Sequence, residues 1–231
     1  MKEDESASRG LIRNPAVPYV IPFAVFLAFL ALDRYLPFRS QTNYAIRFFV
    51  VFAVLAIFSR QVISFRVDYF WGSAAAGLAL FAIWVGPDVL WPGYRGSWLF
   101  TNGITGTPKS SLPEGVKANM TFLTFRVLSS VVNVPVLEEL FWRGWLMRWL
   151  ISPDFLKVSL GTFTWKSFWL VAVLFASEHG SFWDVGLIAG IVFNCWMMKT
   201  KSLPDCILAH AVTNACLAAY VLMRGQWQYW L

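Results

Sequence analysis

The stretch Val131-Val132-Asn133-Val134-Pro135-Val136-Leu137-Glu138-Glu139-Leu140-Phe141-Trp142-Arg143-Gly144-Trp145-Leu146 decides the class of this chain. It is apolar enough to lie in hydrocarbon, yet two adjacent glutamates and an arginine interrupt it. An ionisable side chain inside a span costs about 2.5–3.5 kcal/mol on insertion scales, so one that is retained there is by default a functional candidate. On a helix Glu139 and Arg143 stand at i and i+4 and can pair, whereas Glu138 points about 100° away. One glutamate is thereby neutralised while its neighbour faces elsewhere. The plainer reading is a salt bridge near a helix end that emerges at the membrane surface.

Working outward, the apolar run extends from about 120 to 150. That is too long for one straight span, which needs roughly 20 residues, and Pro135 permits a kink or a break. One tilted helix or two pieces both fit. Further apolar segments fall at approximately 16–36, 44–60, 69–91, 167–182, 184–199 and 203–223. The expectation is an all-α, polytopic transmembrane helical bundle of about seven spans, six to eight, in a single membrane-embedded domain over 1–231. A polar tail occupies 1–15, and the long loop at about 92–119, rich in Gly, Pro, Ser and Thr, reads as an irregular connection that caps the bundle.

Composition agrees. Of 231 residues, 58% are hydrophobic and only 14% charged, with mean hydropathy +0.56, where a soluble domain carries about 25% charge. This excludes a disordered chain and argues against an ordinary soluble enzyme. The net charge of +6 comes from basic residues scattered between apolar segments, with no basic stripe, so no nucleic acid is expected as partner and the lipid bilayer is. With the amino terminus in the cytoplasm, Lys2, Arg9, Arg13, Arg60, Arg66, Arg148, Lys157, Lys166, Lys199 and Lys201 fall inside. Arg34, Arg39, Arg95, Lys109, Lys117 and Arg224 fall outside, which favours that orientation in a bacterial inner membrane. A cleavable signal peptide is not expected, because the first 14 residues are polar and mixed in charge. Cys195, Cys206 and Cys216 lack metal or redox spacing and are expected to pack as small hydrophobes.

Both histidines of the chain fall in late apolar segments. Phe175-Ala176-Ser177-Glu178-His179 puts a ring and an imidazole on one helical face, and His210-Ala211-Val212-Thr213-Asn214 does so for an imidazole and an amide. A carboxylate in a desolvated site beside a neutral imidazole can hold a water and take its proton. A second imidazole with an amide can donate hydrogen bonds to the oxyanion of a tetrahedral intermediate. The chemistry expected is hydrolysis of an amide or similar acyl bond. Glu138, His179 and His210 are also a donor set that zinc uses, but no H-E-x-x-H helix is present, and a metal-independent water mechanism without cofactor is favoured over zinc. No G-x-S-x-G elbow supports a serine mechanism. Asn133, Asn194 and Glu178 are expected to serve packing or support.

The ordered set E-E-x-x-x-R, F-x-x-x-H and H-x-x-x-N, each on its own apolar helix between about 120 and 223, resembles the CAAX-processing and bacteriocin-processing family of intramembrane proteases, which includes the Ras-converting enzyme. The resemblance implies that Glu138 and His179 activate the water, that His210 and Asn214 form the oxyanion site, and that Glu139 and Arg143 support them. It leaves metal dependence open. It also implies a peptide or protein substrate at the membrane. The short, tryptophan-rich form is similar to bacterial members that accompany exosortase sorting systems. Helical rise puts His179 about 20 Å and His210 about 10 Å into their helices, so the motifs need tilt or a break to meet. The alternative is a non-enzymatic scaffold, immunity factor or small-ligand carrier in which the same polar groups bind helices together or hold a ligand.

Overall fold

The computed structural model describes residues 14–35, 40–110 and 112–230. The polar tail up to residue 13 and Arg39 lie outside the described residues. The expected all-α bundle is found. Its helices are α1 (Val17–Leu32), α2 (Ser40–Val54, continued by a π turn at Leu55–Ser59), α3 (Phe70–Leu90), α4 (Met120–Trp149), α5 (Trp165–Ser177), α6 (Trp183–Thr200) and α7 (Leu203–Arg224). Each falls on one of the expected segments, but among the described residues only 5 helical stretches are long and apolar enough to cross a membrane: Thr42–Ser59, α3, α4, Gly180–Thr200 and α7. Helices α1 and α5 are apolar but shorter. Large side chains such as Ile57, Leu78, Val173 and Met223 are exposed on the outer faces, as a lipid-solvated surface requires.

Capping side chains set several boundaries. Asn119 accepts the Phe122 N–H at the start of α4, Thr164 that of Ser167 in α5, and Ser202 that of Asp205 in α7. The Asp205 carboxylate in turn accepts the backbone N–H groups of Asp68 and Tyr69 at 3.1 and 2.8 Å. It thus caps α3 from a neighbouring helix. Gly225, at φ +65°, ends α7 in the left-handed region.

Helix α4 answers the question Pro135 posed: it is one helical stretch, neither a plain α-helix nor two pieces. Two π turns, Ser129–Asn133 and Leu140–Leu146, flank the short α segment Val134–Glu139. Pro135 lacks the N–H that would reach back to Val131 or Ser130. Asn214 Nδ2 supplies a donor to the Ser130 carbonyl at 2.7 Å. Irregular backbone at membrane depth is tolerated because a neighbouring helix satisfies it.

Small residues let the helices that carry the polar groups approach closely. A Cβ on Gly77 of α3 would stand 2.4 Å from the Ala209 carbonyl oxygen of α7. One on Gly190 of α6 would stand 3.0 Å from Ala172 of α5. Helix α5 ends at Ser177 rather than continuing to 182, because Gly180 turns the chain at φ +51°. His179 therefore sits in the break between α5 and α6 and not inside a span.

The 92–119 connection is irregular, as expected. It lies against that break: Arg95 Nη1 donates to the Ser181 carbonyl at 2.7 Å and Trp183 Nε1 to the Leu99 carbonyl at 3.0 Å. One packing expectation is corrected. Cys195 is exposed on the outer face of α6, where nothing in the described structure buries it, while Cys206 is buried. Glu178, for which packing or support was expected, is exposed at the end of α5, because the helix stops one residue before it, and so does not pack.

Candidate active site

The three motifs meet. A cavity of about 230 Å³ is lined by Glu138 of α4, His179 of the α5–α6 break, and His210 and Asn214 of α7, together with Trp84, Ser130 and Tyr229. A water in liquid occupies about 30 Å³, so the space admits several. The depth difference expected from helical rise does not keep His179 and His210 apart, since both line this cavity.

Glu138 is buried, and its Oε2 has no hydrogen-bond partner among the described residues. Its nearest basic atom is His210 Nε2 at 4.0 Å. Glu139 is fully buried and behaves differently. Its Oε1 accepts from Arg143 Nη1 at 3.1 Å and from His210 Nδ1 at 2.9 Å. The expected i, i+4 pair thus forms, and it extends across to α7. The other two guanidinium nitrogens of Arg143, Nε and Nη2, donate to the Asn194 Oδ1 at 3.1 Å and the Gly190 carbonyl at 3.3 Å. Its guanidinium lies 4.7 Å from the Phe175 ring centroid and 5.2 Å from that of Phe193.

These partners fix both imidazoles. His179 Nδ1 faces the Phe175 carbonyl at 2.8 Å, and a carbonyl only accepts, so Nδ1 carries the proton and Nε2 presents a lone pair. His210 Nδ1 donates to an oxygen that Arg143 already holds, so its Nε2, on the Glu138 side, is an acceptor in the neutral ring and a donor only in the imidazolium. This refines the expectation that His210 donates to an oxyanion. Asn214 commits one amide hydrogen to the Ser130 carbonyl and keeps a second.

Asn194, expected to serve packing or support, is fully buried and bonded on both sides of its amide: Oδ1 to Arg143, Nδ2 to the Phe168 carbonyl at 2.9 Å. Asn133 is likewise fully buried and donates to the Phe48 carbonyl at 3.0 Å. The sequence reading missed the Ser130 carbonyl, although a proline five residues on announces a carbonyl without its helical donor. It also passed over Arg126, which lies inside α4 and lines the cavity.

Among the described residues no group of three or more His, Cys, Asp or Glu side chains is placed to hold a metal ion. Glu138, His179 and His210 share the cavity without forming such a group.

Residues 120–216 match the family model described as Type II CAAX prenyl endopeptidase Rce1-like. This segment is Rce1-like. The match begins with α4 and takes in all three motifs, ending just past Asn214, so the resemblance read from the motifs holds over that part of the chain. The family that this segment is similar to is one of endopeptidases, and the apolar helices are those of an integral membrane protein. No curated protein and no solved structure matches the chain.

Proposed function

We propose that the protein is an intramembrane endopeptidase that hydrolyses a peptide bond of a membrane-associated protein or peptide. The observation that carries this reading is the Glu138 carboxylate, buried without a partner and facing a cavity shared with His179, His210 and Asn214. A scaffold would spend such a group on a neighbouring helix. This one is left unspent.

A water in the cavity donates one hydrogen to Glu138 and one to His179 Nε2, which leaves an oxygen lone pair for the scissile carbonyl carbon. As the C–O bond forms, its proton passes to Glu138 and the carbonyl becomes an oxyanion. The free amide hydrogen of Asn214, and His210 in its imidazolium form, donate to that oxyanion. Glu138 then returns the proton to the leaving nitrogen as the C–N bond breaks. Glu139, held by Arg143, keeps the His210 ring in place. The catalytic residues in this reading are Glu138, His179, His210 and Asn214, with Glu139 and Arg143 in support, and the mechanism needs no metal or cofactor.

The test is comparative peptidomics of membranes carrying the wild-type chain or Glu138→Ala. New carboxy termini present only with the wild type are the expected result; identical peptidomes would end the protease reading. Retention of cleavage by the purified protein after chelation and dialysis is expected for the water mechanism, and loss of cleavage restored by zinc would replace it.

A further inference from the structure

The Glu139–Arg143 pair does not end at Arg143. Arg143 Nε donates to Asn194 Oδ1 at 3.1 Å, and Asn194 Nδ2 donates to the Phe168 carbonyl at 2.9 Å. The chain of bonds therefore runs from the α5 backbone through Asn194 of α6 and Arg143 and Glu139 of α4 to His210 Nδ1 of α7. Asn194, Arg143 and Glu139 are each fully buried. The direction of every bond is forced, because the Phe168 carbonyl only accepts and the arginine Nε only donates. That assigns the two ends of the Asn194 amide without ambiguity.

Only an amide meets both demands from one position. Leucine offers neither group, and aspartate offers the acceptor alone. With Asn194 in place every nitrogen of the Arg143 guanidinium has a partner, since Nη1 and Nη2 go to Glu139 and the Gly190 carbonyl. Without it, Nε is left unmatched in a site that excludes water, and the guanidinium turns to seek another acceptor. The oxygen shared by Nη1 and His210 Nδ1 is the next group along, so the disturbance passes to the ring that faces Glu138.

We propose that Asn194 is a positioning residue for His210, acting through Arg143 and Glu139 to hold Nδ1–H on the carboxylate and Nε2 toward the cavity. The proposal rests on the peptidase reading for its consequence in turnover, but not for its test. The chain has only 2 histidines, so protein labelled with ¹⁵N-histidine in lipid bilayers gives two ring signals, assigned with a His179→Gln variant. The readout is the exchange rate of the His210 Nδ1–H proton with solvent.

In Asn194→Leu, which branches at Cγ as asparagine does but offers no hydrogen bond, that proton is expected to exchange about tenfold faster than in the wild type, the size of effect given by one hydrogen bond to a charged group. The His179 Nδ1–H, held by the Phe175 carbonyl, keeps its rate and serves as the internal control. A His210 rate unchanged within twofold in folded Asn194→Leu protein overturns the proposal. Should Asn194→Leu fail to fold, Asn194→Ala, smaller and likewise without an acceptor for Arg143, is expected to show the same acceleration. A rate within twofold of the wild type there would overturn the proposal equally. Identical peptidomes with Glu138→Ala would sink the peptidase reading and leave this result standing; unchanged exchange would do the reverse.

Discussion

Among the described residues two arginines are buried within carboxylate clusters, and they are wired in opposite ways. Arg95, in the connection between α3 and α4, pairs with Asp88 at 3.0 Å and Asp184 at 2.8 Å. Tyr229 and Tyr94 donate to the same two carboxylates at 2.8 and 3.1 Å, so each aspartate is held by a tyrosine as well as by the arginine. The one unmatched polar atom is Nη2 of Arg95, while the guanidinium stacks 4.2 Å from the Phe182 ring centroid. At Arg143 the shortage lies on the other side. Every guanidinium nitrogen is matched, and Oε2 of both Glu139 and Glu138 is not. A cluster whose acceptors are filled is a clamp. One that keeps an unfilled carboxylate at a cavity has a group with which to do chemistry.

The sharpest way to break this contrast is to remove the unfilled carboxylate. In Glu138→Gln, cleavage of a substrate found by peptidomics is expected to fall by about 10²–10⁴-fold, the usual size of a general-base contribution. Thermal unfolding in detergent should be unchanged or shifted upward, because no donor in the described structure rewards the charge. A variant that lost its fold along with its activity would place Glu138 among the clamps.

Arg95→Met should give the opposite signature. It strands two carboxylates that are only partly exposed, at 18% and 15%. Removing one partner of a buried pair costs roughly 3 kcal/mol at the lower end of measured cases, and the residual solvent contact places this one there. The unfolding midpoint should fall while the folded fraction, assayed below it, retains wild-type turnover. A loss of turnover without a loss of stability would mean that the loop cluster belongs to the site.

The two clusters were also unequally visible in the sequence. Glu138, Glu139 and Arg143 stand out because hydrocarbon makes a charge conspicuous, and His179, His210 and Asn214 stand out for the same reason. Asp88, Arg95 and Asp184 do not, since polar residues near a loop are the norm and nothing local says that they converge. The helices were legible from apolar length, within a few residues at each end. The π turns of α4 and the stop after Ser177 were not, because both depend on what a distant element does. Asn214 rescues the carbonyl that Pro135 leaves free, and the 92–110 segment covers the turn at Gly180. For that reason the sequence placed His179 and His210 at different depths, and the fold brings them to one cavity.

A smaller change sharpens the claim that the imidazole of His179 must hold its place. A Cβ on Gly186 would lie 3.1 Å from His179 Cγ and 3.1 Å from Nδ1, so the ring must give by a few tenths of an ångström. Gly186→Ala is expected to lower turnover about tenfold, since catalytic geometry is sensitive well below 1 Å. The unfolding midpoint should move by no more than a few degrees. Wild-type turnover in this variant would show that His179 tolerates displacement and would remove it from the water-activating pair.

The smallest expected effect tests the clamp through pH. Burial, and then the hydrogen bond and charge of Asp88, push the Tyr229 phenol well above its ordinary value. A group whose proton is held more tightly in the folded state contributes stability that is fully present below the unfolded pKa, about 10 for tyrosine. That contribution is lost as pH rises through the folded value, because the unfolded chain releases the proton first. Wild-type protein should therefore lose stability above about pH 10, with a component that Tyr229→Phe lacks. At neutral pH the same variant should be less stable by about 1 kcal/mol, for one neutral hydrogen bond to a partly exposed carboxylate. The two unfolding curves, apart at neutral pH, should converge in alkali. Parallel curves up to pH 11 would mean that Asp88 takes its donors from Arg95 alone, and that the carboxy-terminal turn rests on the clamp without being part of it.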